Sequence, residues 1–263
     1  QFDRINYMNS SWLIDLHSQG LIDVDLDGDL DLVAVERDGQ AQFHCFKNNG
    51  LDDSGNIIFE YVYSYERTDE TSSSRTLAIA DFDNDGDQDV YVPRKEDKNW
   101  FFVNQTLTRS GSNIIYNENP DPLFIERSIE YGISDENNNI TGSTGYGAAW
   151  ADYDNDDDFD LYLTNWGKNR LYKNENNFFT NTAIELNLES DSLSNGVGWG
   201  DFNNDGYIDL WSNNFKREDD LFFNPNGANE VWDNSQNPFY LSATQDAVPV
   251  DYNNDGWLDM FTP

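Results

Sequence analysis

Five short stretches of this 263-residue chain place aspartate on alternate residues, and each is nine residues long. They run Asp23–Asp31, Asp81–Asp89, Asp152–Asp160, Asp201–Asp209 and Asp251–Asp259, in the frame D-x-[DN]-x-D-[GD]-x-x-D. Alternate oxygen ligands are what calcium requires, because this hard cation takes about six to eight oxygens at roughly 2.3–2.6 Å. Positions one, three, five and nine offer side chains and position seven a backbone carbonyl. The candidate ligand residues are therefore Asp23, Asp25, Asp27, Asp29 and Asp31; Asp81, Asp83, Asp85, Asp87 and Asp89; and Asp152, Asp154, Asp156, Asp158 and Asp160. The last two loops supply Asp201, Asn203, Asp205, Tyr207 and Asp209, then Asp251, Asn253, Asp255, Trp257 and Asp259. The sixth residue must turn sharply with φ > 0, which suits Gly28, Gly86, Gly206 and Gly256 and is tolerated by Asp157. An EF-hand is excluded: its bidentate Glu at position twelve is replaced by Ala34, Val92, Leu163, Ser212 or Thr262. Each loop runs directly into β-branched or aromatic residues such as Val90-Tyr-Val92 and Leu161-Tyr-Leu163, so the ion is expected to staple two strands.

The elements that hold these loops recur with them. The loops repeat at intervals of roughly 50 residues, lengthened by insertions, which is the mark of a repeat architecture. Ahead of each loop lies a strand of small or apolar residues: Leu77–Ala80, Gly145–Ala151, Gly196–Gly200 and Ala247–Val250, with a weaker version at Leu21-Ile22. Small residues suit strands crowded near a central axis. A third strand follows, ending in Asn: Asn99–Asn104, Asn169–Asn174, Asp219–Asn224 and, more faintly, Cys45–Asn48, where the Asn is expected to make a turn. A fourth carries Phe, at Ile58–Tyr61, Leu123–Ile125, Phe178-Phe179 and Phe239–Leu241. Four antiparallel strands per repeat is the blade of a β-propeller, so the fold class is all-β.

The units read as 13–62, 75–127, 143–183, 194–242 and 245–263, with 1–12 as the last strand of a preceding blade through Phe2–Ile5. The expectation is one propeller domain over 1–263, or a segment of a larger ring of about seven blades. Residues 105–120 and 132–145, rich in Asn, Ser and Gly, read as inserted loops.

A net charge of −35 makes nucleic acid and anionic membranes poor partners. Close to half of the acidic residues lie in the loops, where calcium would offset them. Aromatic residues at 15%, with 8 Trp, argue against a disordered acidic chain. The single cysteine, Cys45, allows no internal disulfide and reads as a small buried residue. Calcium loops of this kind suit millimolar calcium, which places the protein outside the cell. Sequons at Asn9, Asn104 and Asn139 are compatible with secretion.

The pattern resembles the FG-GAP or VCBS repeats of integrin α-subunit heads and secreted microbial proteins. Gly145-Tyr-Gly-Ala-Ala-Trp-Ala-Asp-Tyr-Asp-Asn-Asp-Asp-Asp-Phe-Asp-Leu-Tyr-Leu-Thr-Asn165, followed by Asn169–Asn174, is most similar to the VCBS repeats of cartilage acidic protein. The resemblance implies about five Ca²⁺, one between the first two strands of each blade. Asp157, Asn203 and Asn253 depart from the pattern.

Each loop fills its own ligand positions, as a structural site does. Trp150, Trp199 and Trp211, recurring beside the loops, are expected to pack between blades, and Trp166 is the better surface aromatic. His17 and His44 stand apart from any triad. The expected role is non-enzymatic: an extracellular adhesion, ligand-binding or scaffold module for protein or glycan. Two alternatives are a polysaccharide lyase or glycosidase on a calcium-bearing propeller, and a filament subunit that packs against copies of itself. With 15 Lys and Arg scattered through the repeats, a basic cleft for acidic polysaccharides is not expected.

Overall fold

The computed structural model describes residues 16–36, 42–66, 73–95, 97–135, 144–215, 217–225, 230–234 and 248–261. Among these the chain is all-β, without a helix, and its strand ladders are antiparallel sheets. The first unit is a meander of β1 (Leu16–Ile22), β2 (Asp31–Glu36), β3 (Gln42–Leu51) and β4 (Ile57–Glu66), paired in that order. The second opens with β5 (Ser73–Ser74) and continues through β6 (Ala78–Ala80), β7 (Asp89–Val92), β8 (Arg94–Lys95) and β9 (Trp100–Asn104). It is completed by β10 (Leu107–Ser110), β11 (Asn113–Tyr116) and β12 (Phe124–Glu126). Its sheet runs β6-β7-β9-β12, while β5 pairs β8 and β10 pairs β11.

The third unit is β13 (Gly145–Ala151), β14 (Asp160–Lys168), β15 (Arg170–Asn174) and β16 (Phe179–Asn181). The fourth is β17 (Asp191–Gly200), β18 (Asp209–Asn214) and β19 (Asp220–Phe222), with a bridge from Phe223 to Asp233 on its outer side. Two strands, β20 (Val248–Val250) and β21 (Asp259–Phe261), form a further pair. The end of β14 also pairs with the start of β17, Trp166 opposite Leu193, joining these two sheets. The strands expected at Phe2–Ile5 and Phe239–Leu241, and the sequons at Asn9 and Asn139, lie outside the described residues.

Two expectations need correction. The weak strand at Leu21-Ile22 is a full seven-residue strand, held along its length by β2. Residues 105–120 are not a plain loop but contain the β10–β11 hairpin, which turns at Gly111 with φ +64°. Its branched and aromatic Ile114, Ile115 and Tyr116 supply the strand propensity that the polar composition obscured.

The hydrophobic cores lie between consecutive sheets, and strict alternation puts them there. In β7, Val90 and Val92 face the first unit while Tyr91 faces the third; in β9, Trp100 and Phe102 face backward and Phe101 forward. In β14, Leu161 and Leu163 pack toward the second unit and Tyr162 toward the fourth. Leu210 and Phe222 face the third unit, whereas Trp211 and Leu221 face Met260 of the last pair. The second, third and fourth sheets are thus each covered on both faces by their neighbours in sequence. Trp150 packs on Tyr91 and Phe101, and Trp199 on Tyr162 and Trp232, so the loop-flanking tryptophans do fill the spaces between sheets. Cys45 is buried in the first of these cores.

First strands of neighbouring units approach closely at glycines. A Cβ on Gly20 would meet Ile79 Cδ1 at 2.5 Å, and one on Gly147 would meet the Asn195 carbonyl oxygen at 2.3 Å.

Candidate metal centres

The five Asp loops share one backbone frame. The first aspartate accepts the amides of positions five and six on its two oxygens: Asp27 and Gly28 donate to Asp23 at 3.0 Å, and Asp85 and Gly86 to Asp81 at 3.0 and 2.9 Å. Asp152, Asp201 and Asp251 do the same in their own loops. Position six is left-handed throughout, Gly28, Gly86, Gly206 and Gly256 with φ of 89–105° and Asp157 with φ 70°.

Position four is left-handed as well, a requirement that the glycine pattern did not reveal. It is Asn84, Asn155, Asn204 and Asn254 in four loops and Leu26, φ 61°, in the first. Asn84 and Asn204 also donate to the position-six carbonyl of the following loop, at 3.0 Å to Asp157 O and Gly256 O. A leucine in this region costs about 1–2 kcal/mol that Asn largely avoids. Leu26→Asn should therefore stabilise the protein by about 1 kcal/mol; an unchanged urea midpoint would contradict the strain argument.

The ninth aspartate ties loop to sheet. Asp31, Asp89, Asp160 and Asp209 each accept the amide of the second loop residue on one oxygen and, on the other, the amide of the Asn expected to end the third strand, although β3 runs on past Asn48 to Leu51. That Asn does more than end a strand. Its side-chain amide reaches back to the preceding unit: Asn104 donates to Val24 O at 3.1 Å, Asn174 to Phe82 O at 3.0 Å and Asn224 to Tyr153 O at 2.8 Å. The turn role is present too, since Asn104 Oδ1 accepts the Thr106 amide.

Carboxylate oxygens converge within 4.8 Å of one another in three loops: Asp23, Asp25 and Asp27; Asp81, Asp83 and Asp85; Asp152, Asp154 and Asp160. In the last two loops three carboxylates do not come together among the described residues. Asn203 and Asn253 stand at position three there and donate to Asp205 and Asp255 at 2.9 and 3.1 Å. At position seven, Asp87 and Asp158 spend carboxylate oxygens on the amides of Leu107 and Asn176. The position-seven amides, including those of Asp29, Tyr207 and Trp257, donate to the position-five carboxylates.

The donor set is all oxygen, and two of its members have no protein partner: Asp25 Oδ1 and Asp154 Oδ1, both at position three, are buried without a hydrogen bond. A buried carboxylate oxygen left bare is costly, and a hard divalent cation is the ligand that would satisfy it. The loops also differ in protein-borne charge. Lys47 contacts Asp25 and lies 3.3 Å from Asp27, and Lys173 lies 2.7 Å from Asp154 and 3.8 Å from Asp156. Both precede the closing Asn, a place taken by Val103 and Phe223 in the second and fourth units.

The second loop has no such lysine and is the most enclosed. The β10–β11 hairpin lies over it, with Leu107 donating to Asp87 and Arg109 to the carbonyl of Asn84. Burial, and then the charges of Asp85, Asp83 and Asp81, push the Asp87 carboxyl up to about 8. Burial likewise pushes Asp85 up to about 6 and Asp160 up to about 8. Protein groups alone do not offset the charge of these sites, and a cation would lower all three values.

The two histidines occupy unrelated places. His44 is fully buried, its ring 3.2 Å from Tyr61 Oη and 3.2 Å from Glu36, and burial lowers it to about 4. His17 lies on a cleft at the other end of the first strands.

Residues 23–92 and 152–212 match the family model of the FG-GAP-like repeat. These two stretches contain the first two loops and the third and fourth loops. No curated protein matches the chain.

Proposed function

We propose that this chain, which carries FG-GAP-like repeats, is a calcium-stapled β-propeller, or a segment of one, that serves as an extracellular binding module for protein or glycan. The observation that supports the metal most directly is the buried, unpartnered oxygen of Asp25 and of Asp154 inside clusters of converging carboxylates. Positions one, three, five and nine would hold the ion with the position-seven carbonyl, and the ion supplies positive charge, not a reactive centre. The protein's own residues have other tasks. The first aspartate shapes the loop, the ninth fastens it to the second and third strands, and the closing Asn fastens that unit to the one before. A cation in the loop therefore acts on the joint between neighbouring sheets.

Weak, oxygen-only sites of this type fill where calcium is about millimolar, which favours an extracellular setting. The alternating cores between sheets favour the blade arrangement, with the units at 13–62, 75–127, 143–183, 194–242 and 245–263. Native mass spectrometry in millimolar calcium should resolve about five bound ions, and with magnesium alone fewer, because magnesium demands a tighter octahedral shell. A chain that remains folded in calcium and carries none of it would overturn the reading.

A further inference from the structure

A cleft of about 540 Å³ opens at the end of the first strands away from the Asp loops. Its lining follows a rule of the repeat. His17, Arg75, Tyr146 and Asn195 each stand six residues before the first aspartate of their own loop, so four consecutive units deliver one side chain apiece to the same place. Trp166 and Phe215 add a second rank, each fourteen residues after that aspartate in the third and fourth units. The repeat fixes the positions while the residue types differ from unit to unit, which lets a repeat scaffold present a surface suited to a particular ligand.

The divergent residues form a definite surface. Tyr146 stacks on Trp166 with centroids 4.6 Å apart and planes 12° apart, and Phe215 continues the column at 6.1 Å and 21°. The Arg75 guanidinium closes the other end, 4.8 Å from the Tyr146 ring centre. Asn195 Oδ1 accepts the Trp166 indole N–H at 3.0 Å, which fixes the ring and leaves the amide nitrogen as a donor. In a chain of 50 acidic and 15 basic residues, Arg75 makes no ion pair among the described residues, and its Nε is buried without a hydrogen-bond partner. A half-buried guanidinium held on an aromatic ring, with no carboxylate beside it among the described residues, is ready to accept one from a ligand.

We propose that this cleft is a binding site for a sugar carrying a carboxylate, a hexuronate residue of an acidic glycan. The assignment rests on the binding-module reading above and names its site and ligand class. The apolar C–H face of a pyranose packs on the aromatic column, its hydroxyls meet the Asn195 amide and the His17 ring, and its carboxylate pairs with Arg75. The volume suits one or two sugar residues. A cleft of this volume, walled by aromatic rings, suits a compact ring better than an extended acidic peptide. A broadly basic cleft is not needed: one guanidinium selects the acid while the surrounding negative charge keeps the affinity low.

The test is titration of the full chain, at fixed millimolar calcium, with trisaccharides of glucuronate and of galacturonate, their methyl esters, and an Asp/Glu hexapeptide, followed by calorimetry and tryptophan fluorescence. One of the two uronates should saturate with its methyl ester at least tenfold weaker. Arg75→Gln should erase that difference, and Trp166→Ala or Phe215→Ser should remove binding while leaving the calcium-dependent melt in place. No binding by either uronate, binding indifferent to Arg75 and Trp166, or Arg75-dependent binding of the peptide alone would overturn the proposal. Since the ion count is measured separately, a protein that holds its calcium and ignores uronates defeats this site and not the calcium scaffold.

Discussion

In excess chelator the protein should melt about 15–25 °C lower than in millimolar calcium. With free calcium near ten times Kd, each site contributes RT ln 11, about 1.4 kcal/mol, and five independent sites about 7 kcal/mol. For a domain of this size each kcal/mol moves the midpoint by roughly 2–4 °C. The loss is comparable with the whole stability of an ordinary domain. Its structural route is specific. Without a cation the Asp81–Asp89 loop must bury carboxylates whose ionisation burial already opposes, with Asp87 pushed up to about 8. The ninth aspartate that would share the ion also holds the loop-entry amide and the closing Asn, which in turn holds the preceding unit. Loosening should therefore appear at the joints between sheets, as faster hydrogen exchange of the Phe82 and Asn104 amides. The first and third loops, with Lys47 and Lys173 against their carboxylates, should exchange less than the second. A melt unmoved by chelator would mean that the loops stand on their hydrogen bonds alone.

Much of this arrangement was legible in the sequence because ligand chemistry demands regular spacing. Oxygens on alternate residues and a residue able to turn left-handed at position six leave a written trace, and the structure shows the left-handed turn even at Asp157. The strand at Trp100-Phe-Phe-Val103 was equally plain, since both faces are buried and every residue is large. Contacts that cross between units were not legible. The closing Asn reads as a turn former, and nothing local says that Asn174 reaches a carbonyl at Phe82. Lys47 and Lys173 read as strand residues, because only the fold brings them onto the loop carboxylates. The cleft shows the same limit: His17, Arg75, Tyr146 and Asn195 share a register and no chemistry, so they form no motif until four units converge. Trp166 did read as the aromatic nearest the surface, and the structure holds it between Tyr146 and Phe215.

Gly147→Val should cost about 4 kcal/mol, measured by urea unfolding at fixed calcium. Gly147 is buried in β13, and its amide donates to Thr164 Oγ1 at 2.9 Å, whose hydroxyl in turn donates to the Asn195 carbonyl at 2.7 Å. A Cβ here would lie 2.3 Å from that carbonyl oxygen and 2.9 Å from the Thr164 hydroxyl. The first contact is with backbone, which cannot swing aside as a side chain does, so β13 and β17 must part by about 1 Å. Parting them breaks the Thr164–Asn195 hydrogen bond, the crowding of Thr164 Oγ1 displaces its bond to the Gly147 amide, and buried polar groups are left without partners at about 1–3 kcal/mol each. Gly111 provides the contrast. In the exposed turn of the β10–β11 hairpin it has φ +64°, and a methyl group added there would meet nothing within 4 Å, so Gly111→Ala carries only the backbone cost of about 1 kcal/mol. If both substitutions cost the same, the glycines of the first strands are there for their own flexibility. If Gly147→Val costs several times more, they are there because neighbouring strands approach more closely than any side chain permits, and the spacing between units is set by backbone contact.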